Sequence, residues 1–184
     1  MKKSNIFFSN AAGSNANSVA EYFITSLLEV SHRRGYVLEG KSLGIIGVGN
    51  IGKIVAMKSA ALGLRPVLND PPRARQEGSE SFKSLTEVLK SDIITCHTPL
   101  IKEGTDKTVH LLGGEELALT SDRVRLVNTG RGPVINNEQL KKWKNKHAEK
   151  AIILDGWENE PETDSDLLSM VDIATPHIAG YSFA

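Results

Sequence analysis

The sequence predicts an α/β fold, with a doubly wound parallel sheet of six strands and helices on both faces. Two observations carry this prediction. Six short apolar runs alternate with helical patterns along the chain, as strands and crossover helices do in a parallel sheet. A glycine-rich stretch, "GVGNIG", follows the first run and opens a helical pattern, where folds of this class make their first strand-to-helix turn.

Each predicted strand is a short run rich in Ile, Leu and Val. The six runs are residues 42–47, 65–69, 92–97, 123–128, 151–155 and 171–175. A helix over 14–34 precedes the first strand, and Ser18 and Glu21 are expected to form its capping box. Further helices are expected at 51–63, 84–91, 114–120, 136–146 and 164–170, while "DPPRAR" is expected to be a turn. The helix at 84–91 opens with a second S-x-x-E pattern, formed by Ser84 and Glu87.

The composition excludes several classes of function. Lys plus Arg equal Asp plus Glu at 22 each, and a net charge near zero argues against nucleic acid or an anionic membrane as the main partner. The single cysteine, Cys96, excludes an internal disulfide framework and fits a reducing compartment. The chain shows neither a signal peptide nor an apolar run typical of a membrane span, so a cytoplasmic location is expected.

Gly47, Gly49 and Gly52 form the pattern G-x-G-x-x-G between a predicted strand and a predicted helix. In this context the glycines permit a tight turn, close approach to a pyrophosphate and packing of helix on strand, as in a Rossmann dinucleotide-binding site. Asp70 ends the second strand, where a carboxylate would bind the ribose hydroxyls of NAD. Arg73 and Arg75 follow it and would suit NADP, but Asp70 would repel a 2′-phosphate, so NAD is predicted.

Polar segments follow the later strands, at residues 97–99, 128–132, 155–161 and 176–181. Since parallel strands end at one edge of the sheet, these segments are expected to bring Arg131, Glu160 and His177 together. His177 would accept a hydroxyl proton during hydride transfer, Glu160 would orient it, and Arg131 would bind a carboxylate. Taken singly, each side chain is more often structural or a surface group, and only their convergence favours a catalytic set.

The other histidines and the cysteine carry less information. His97 is expected at a strand end near the cofactor, and Cys96 in the apolar core. The remaining histidines, His32, His110 and His147, lack ligand partners at metal-binding spacing, so no metal site is predicted.

The segments "GIIGVGNIGK", "NTGRG", "DGWENEP" and "PHIAG" together resemble the NAD-dependent D-2-hydroxyacid dehydrogenases, over about residues 5–182. The resemblance implies an active-site Arg131, and a proton-donating His177 partnered by Glu160. It implies that NAD is contacted by Asn50, Ile51, Asp70, Thr98, Thr129, Gly130, Asp155 and Gly180, and that Tyr181 touches the substrate. "NDPPRAR" and "PHIAGYS" are similar to a member of the family that acts on a small phosphorylated 2-hydroxy acid.

The chain also departs from the family. Ala12 and Ser14 replace Pro and Cys of many relatives, and nearly all of the family's substrate domain and C-terminal dimerisation domain is expected to be absent from this sequence. Residues 1–184 are therefore expected to form one NAD-binding domain, with an inter-domain helix at the start and little turnover of its own. The apolar face of that helix, near residues 14–34, predicts a homodimer. Two alternatives stay open: another 2-hydroxyacid substrate such as phosphoglycerate, or an NAD-responsive binding module like the co-repressors called C-terminal binding proteins.

Overall fold

The computed structural model describes residue 7, residues 9–78 and residues 80–182. The strands in these ranges form one parallel sheet with the order β2-β1-β3-β4-β5-β6. They are β1 (Ser42–Ile46), β2 (Arg65–Asn69), β3 (Ile93–Cys96), β4 (Arg125–Asn128), β5 (Ala151–Leu154) and β6 (Ile173–Ala174). The predicted fold class is confirmed, and each strand lies within its predicted run.

The helices alternate with the strands. They are α1 (Ala16–Arg33), α2 (Asn50–Ala61), α3 (Pro71–Glu77), α4 (Leu85–Val88), α5 (Gly114–Ala118), α6 (Asn137–Lys146) and α7 (Ser165–Met170), with a 3₁₀ turn at Gly132–Val134. The capping box that opens α4 has both of its hydrogen bonds, between Ser84 and Glu87. Among the helices in the described ranges, none is long and apolar enough to cross a membrane.

The predicted capping box of α1 is wrong. The helix begins one turn earlier than the S-x-x-E pattern indicates, with Asn15 as its N-cap residue. Ser18 therefore lies inside the first turn of the helix. The backbone N–H groups two and three residues after Ser18 already donate to carbonyl groups of the helix, so they need no capping side chain. Glu21 instead forms an ion pair with Lys58 of α2 at 3.2 Å.

The prediction that "DPPRAR" is only a turn is also wrong, because this segment opens α3. The Asp70 side chain accepts a hydrogen bond from the backbone N–H of Arg73 at 3.1 Å and caps the helix. Pro71 and Pro72 occupy the first helical positions, where no backbone donor is needed and a fixed φ favours the helix. Two prolines thus start this helix and do not interrupt it.

Two apolar clusters lie on opposite faces of the sheet. Ile45 and Ile46 are neighbours in β1, and they belong to different clusters because successive strand side chains point to opposite faces. One cluster includes Phe23 of α1, and the other includes Leu117 of α5 and Leu140 of α6. Both faces of the sheet are therefore covered, as the continuous apolar runs predict.

Cys96 lies in the second of these clusters and is fully buried. Burial raises the pKa of its thiol to about 12, so the thiol stays neutral at physiological pH. Its assignment to the apolar core is confirmed.

The face of α1 that was expected to be free for a partner is occupied by the rest of the chain. Val19, Phe23, Leu27 and Val30 are all buried, and Leu28 is the exposed large apolar side chain of this helix at 45%. The helix packs on α2 and on the sheet beneath it. The expectation that the apolar face of α1 is free for a partner is wrong. A homodimer through this helix stays a prediction, but the burial of this face removes the observation on which it was based.

Candidate cofactor and active site

The order in which strands are added to the sheet reverses at β1, which has β2 on one side and β3 on the other. The chain leaves β1 toward one edge, returns, and then builds the remaining strands toward the other edge. In open α/β sheets, ligands bind in the crevice outside the carboxyl ends of the strands at such a point. The segments beginning at Gly47, Asp70 and His97 follow β1, β2 and β3 and form this crevice.

The three glycines of the G-x-G-x-x-G pattern, which runs from the end of β1 into α2, have different roles. Gly47 has a φ of 87°, a left-handed conformation that favours glycine. A Cβ on Gly52 would overlap the carbonyl oxygen of Gly47, so this glycine lets α2 pack against the turn. In the described part of the chain, no heavy atom lies within 4 Å of a Cβ added at Gly49, which precedes the uncapped N-terminus of α2. Open space at a helix N-terminus suits a pyrophosphate.

A cavity lies on each side of this loop. The first, of about 490 Å³, is lined by Gly47, Asp70 and Thr98 together with α3 and the segment after β3. The second, of about 390 Å³, is lined by Ile51 in the first turn of α2 and by residues that follow β4, β5 and β6. Two cavities beside one glycine-rich turn are the arrangement expected for the two nucleoside halves of a dinucleotide.

Thr98 supports this fit. Its hydroxyl oxygen is buried and has no hydrogen-bond partner among the residues that the structure describes, although the residue lines the first cavity. Buried hydroxyl groups normally have a partner, so this one is available to a bound ligand. Asn50, the first residue of α2, is exposed at the same turn and lies against Gly13.

Asp70 lies where the sequence predicts a ribose-binding carboxylate. Besides capping α3, it accepts a hydrogen bond from the backbone N–H of Val48 at 2.8 Å. Its position is thereby fixed relative to the glycine-rich loop. Both arginines that would favour NADP are paired with carboxylates, Arg73 with Glu77 and Arg75 with Asp106.

Gly49→Ala tests the assignment of the loop. We expect NADH affinity to fall about tenfold or more, because the methyl group occupies the space assigned to the pyrophosphate. The free energy of unfolding should change by less than about 1 kcal/mol, because a Cβ there meets no protein atom. Fluorescence titration with NADH and urea unfolding measure the two effects. Unchanged NADH affinity in a folded variant would contradict the assignment.

His177 and Glu160 form a hydrogen-bonded pair at the second cavity. Nδ1 of His177 lies 2.8 Å from Oε2 of Glu160, and the imidazole lines the cavity. This bond leaves Nε2 of the ring available to a bound hydroxyl group. His177 has a φ of 56°, and a residue other than glycine held in this conformation is a feature of functional sites.

Partial burial by itself would raise the pKa of the Glu160 carboxyl. The hydrogen bonds from His177 and from the backbone N–H of Trp157, together with the nearby charge of Arg131, outweigh burial and lower its pKa below the ordinary value. Glu160 is therefore ionised at neutral pH and able to orient the imidazole.

Asp155 anchors the loop that carries His177. Its buried carboxylate accepts hydrogen bonds from the hydroxyl of Thr175 at 2.6 Å and from the backbone N–H groups of Ile178 and Ala179 at 2.8 and 3.0 Å. Its backbone carbonyl accepts the N–H of His177 at 2.9 Å. Asp155 lines the second cavity, as expected of a cofactor contact, and it also fixes the loop conformation.

Three residues that sequence reasoning missed support Asp155 and the loop. The hydroxyl groups of Tyr22 and Thr175 are 2.6 Å apart, and the indole N–H of Trp157 donates to the carbonyl of Thr175 at 2.8 Å. Tyr22 and Thr175 lie 153 positions apart in the chain, so no local pattern indicates this contact.

The "NTGRG" loop brings two further predicted residues to the second cavity, Thr129 and Arg131. Asn128 holds this loop, since its side chain accepts from the N–H of Gly130 at 3.1 Å and donates to the carbonyl of Arg131 at 3.0 Å. The Arg131 guanidinium donates to the carbonyl of Gly130 at 3.1 Å. Arg131 and His177 therefore line the same cavity.

The start of α1 closes another side of this cavity. Asn15 and Val19 line it beside Gly180 and Tyr181, and neither residue of α1 was predicted. A Cβ on Gly180 would lie 2.5 Å from the side-chain amide nitrogen of Asn15, so this glycine lets the loop approach the helix. The Asn15 side chain makes no capping hydrogen bond, although asparagine is a preferred N-cap residue. Tyr181 is 79% exposed at the mouth of the cavity.

His97 directly follows β3 and lies among side chains of the strand ends and of α1. Its ring nitrogens are 3.0 Å from the hydroxyl of Thr95 and 3.3 Å from that of Thr129, and the ring packs edge-on to Phe23. Loss of hydration lowers the pKa of His97 to about 3, so the folded protein keeps this imidazole neutral.

This shift predicts a pH dependence of stability. The unfolded chain binds a proton at His97 as the pH falls through 6.5, whereas the folded chain does so only near 3. Stability is therefore lost between these values, by as much as about 1.4 kcal/mol per pH unit. His97→Gln should flatten the dependence of the urea midpoint on pH from 6.5 toward 4. Equal slopes in wild type and variant would refute this role of His97.

The described residues contain no group of three or more His, Cys, Asp or Glu side chains placed to hold a metal ion. The prediction that the protein has no metal site stays a prediction.

Comparison with known proteins also identifies an NAD-binding domain. The family model described as "D-isomer specific 2-hydroxyacid dehydrogenase, NAD binding domain" matches residues 15–179. The chain is 50% identical over 182 residues to the erythronate-4-phosphate dehydrogenase of Hydrogenovibrio crunogenus, and 42% identical over 183 residues to that of Chromohalobacter salexigens. Each alignment covers 99% of this chain and 48% of the relative. The chain spans about half the length of the curated relatives it matches.

Solved structures show the same fold. D-lactate dehydrogenase from Aquifex aeolicus, complexed with NAD and lactic acid, has a TM-score of 0.76 and 29% identity, covering 94% of this chain and 62% of that one. NAD-dependent formate dehydrogenase from Staphylococcus aureus, in complex with NAD, has a TM-score of 0.77 and 28% identity, covering 91% and 56%. The prediction of NAD as the cofactor is confirmed by the family match.

Proposed function

Because the chain belongs to the NAD-binding domains of the D-isomer specific 2-hydroxyacid dehydrogenases, we propose that it supplies the cofactor-binding part of an erythronate-4-phosphate dehydrogenase. The reaction proposed is the oxidation of 4-phospho-D-erythronate by NAD to 2-oxo-3-hydroxy-4-phosphobutanoate. The observation that carries the proposal is the His177–Glu160 pair, which faces a cavity lined by Arg131 beside the phosphate-binding loop.

Each member of this set has a role in the oxidation of a 2-hydroxy acid. His177, through Nε2, removes the proton of the C2 hydroxyl group. Glu160 holds the ring through Nδ1 and stabilises the imidazolium that forms. Arg131 binds the carboxylate of the substrate with its planar guanidinium, and Tyr181 borders the substrate at the mouth of the cavity.

NAD, when bound, would accept the hydride that leaves C2. Gly49 and the N-terminus of α2 would hold its pyrophosphate, Asp70 its adenosine ribose, and Thr129 and Asp155 its other nucleoside. In this arrangement the segments at the carboxyl ends of the strands hold both the cofactor and the imidazole of His177, which accepts the proton.

The choice of substrate rests on the relatives at 42% and 50% identity, which carry this activity in their names. The test is NADH formation by the protein expressed from the complete reading frame that contains this chain. We expect 4-phospho-D-erythronate to give the highest kcat/KM among a panel that includes 3-phosphoglycerate and D-lactate. A higher value for either competitor would assign another 2-hydroxy acid, and NAD-dependent capture of a protein without turnover would favour the binding module.

A second part of the proposal concerns the 184 residues alone. They would form one cofactor-binding domain that binds NAD with little turnover, because hydride transfer needs a substrate held at reacting distance in a closed site. Rapid oxidation of 4-phospho-D-erythronate by these residues alone would contradict this part.

A further inference from the structure

An ion pair spans the first cavity, from α3 to the segment after β3. Nη2 of Arg75 lies 2.7 Å from one carboxylate oxygen of Asp106 and 2.5 Å from the other. Both residues line the cavity that also contains Asp70. The pair therefore joins the segment that follows the ribose-binding carboxylate to the opposite wall.

Other cationic side chains line the cavity, but they lie on segments other than α3. Lys83 donates to the carbonyl of Glu80 at 3.2 Å, and Lys107 belongs to the opposite wall. Arg75 is the lining cation carried by the helix that Asp70 caps. Arg73 of the same helix does not line the cavity, because it bonds to Glu77 and to the carbonyl of Val48.

We propose that Asp106 is a second determinant of the preference for NAD over NADP, acting by holding Arg75 away from the adenosine ribose. This inference goes beyond the repulsion expected from Asp70, and it concerns the cofactor, not the substrate of the proposed reaction. Without Asp106, Arg75 presents an unpaired guanidinium to the cavity, and guanidinium groups bind phosphate bidentately. A 2′-phosphate carries nearly two negative charges near neutral pH, so it gains from a free Arg75 and loses from a neighbouring carboxylate.

The exposure of the pair limits the effect. The side chains of Arg75 and Asp106 are 55% and 29% exposed, and exposed ion pairs contribute little to stability. Breaking the pair should leave the fold intact. The gain in NADPH affinity is expected to be roughly fivefold, and larger at low salt, where screening of these charges is weakest.

The test is fluorescence titration of Asp106→Asn with NADPH and NADH at low ionic strength. We expect the Kd for NADPH to fall roughly fivefold while the Kd for NADH stays unchanged. The control variant is Glu103→Gln, which removes the same charge from an exposed position of the same segment that does not line the cavity. It should bind both cofactors as the wild type does.

A double variant separates the release of Arg75 from the simple loss of a negative charge. Asp106→Asn combined with Arg75→Ala should lose the gain in NADPH affinity. The proposal is overturned if Asp106→Asn gains nothing for NADPH, if Glu103→Gln gains as much, or if the double variant keeps the gain. Because the readout is direct binding, failure of the proposed substrate would leave this result unaffected.

Discussion

In the protein expressed from the complete reading frame, substitution of His177 by asparagine is expected to lower kcat for 4-phospho-D-erythronate by roughly 10²- to 10⁴-fold, the usual contribution of a general acid–base group. Asparagine suits this position because His177 has a φ of 56°, a conformation that asparagine tolerates better than most residues. The variant should therefore keep the loop conformation that Asp155 anchors. NADH titration should give an unchanged Kd, because the cofactor-binding residues are untouched.

The matched control for this prediction is His32→Asn. His32 lies on the exposed surface of α1 and lines neither cavity, so its substitution should leave both kcat and the NADH Kd as they are. Turnover close to that of the wild type in His177→Asn would remove His177 from the catalytic role. A large loss of NADH binding in that variant would place His177 in the cofactor site.

Gly132→Ala is expected to destabilise the fold by about 3 kcal/mol. A Cβ at this position would overlap the backbone carbonyl of Trp157 and crowd the backbone nitrogen of Glu158. Since both neighbours are backbone atoms, no side-chain rotation relieves the overlap, and the "NTGRG" loop must move from the segment that carries Glu160. The melting temperature should fall by about 10 °C in a chain of this size.

Gly49→Ala is the matched control for Gly132→Ala, because it adds the same methyl group where no protein atom is near. We expect opposite results for the two variants. Gly132→Ala loses stability, whereas Gly49→Ala keeps its stability and loses NADH affinity. A melting temperature of Gly132→Ala equal to that of the wild type would show that the two loops are packed less closely than the structure has them.

Much of the fold follows from local patterns in the sequence. The continuous apolar runs predict strands buried on both faces, and each observed strand lies inside its run. Helix starts were less predictable. The S-x-x-E pattern predicts the capping box of Ser84 correctly and that of Ser18 wrongly. Tertiary contacts help to decide at which residue a helix begins, and a short sequence pattern does not contain that information.

The sequence by itself determined the sheet, the glycine-rich turn after its first strand and the end of the sheet at which the polar segments meet, since these depend on apolar periodicity and on glycine. It also indicated Arg131, Glu160 and His177 as a set. The tertiary structure decided which groups support that set. The contact of Tyr22 with Thr175, the place of Asn15 in the second cavity and the Arg75–Asp106 pair all join segments far apart in the chain. Such contacts depend on how helices pack against the sheet, and no local pattern encodes that packing.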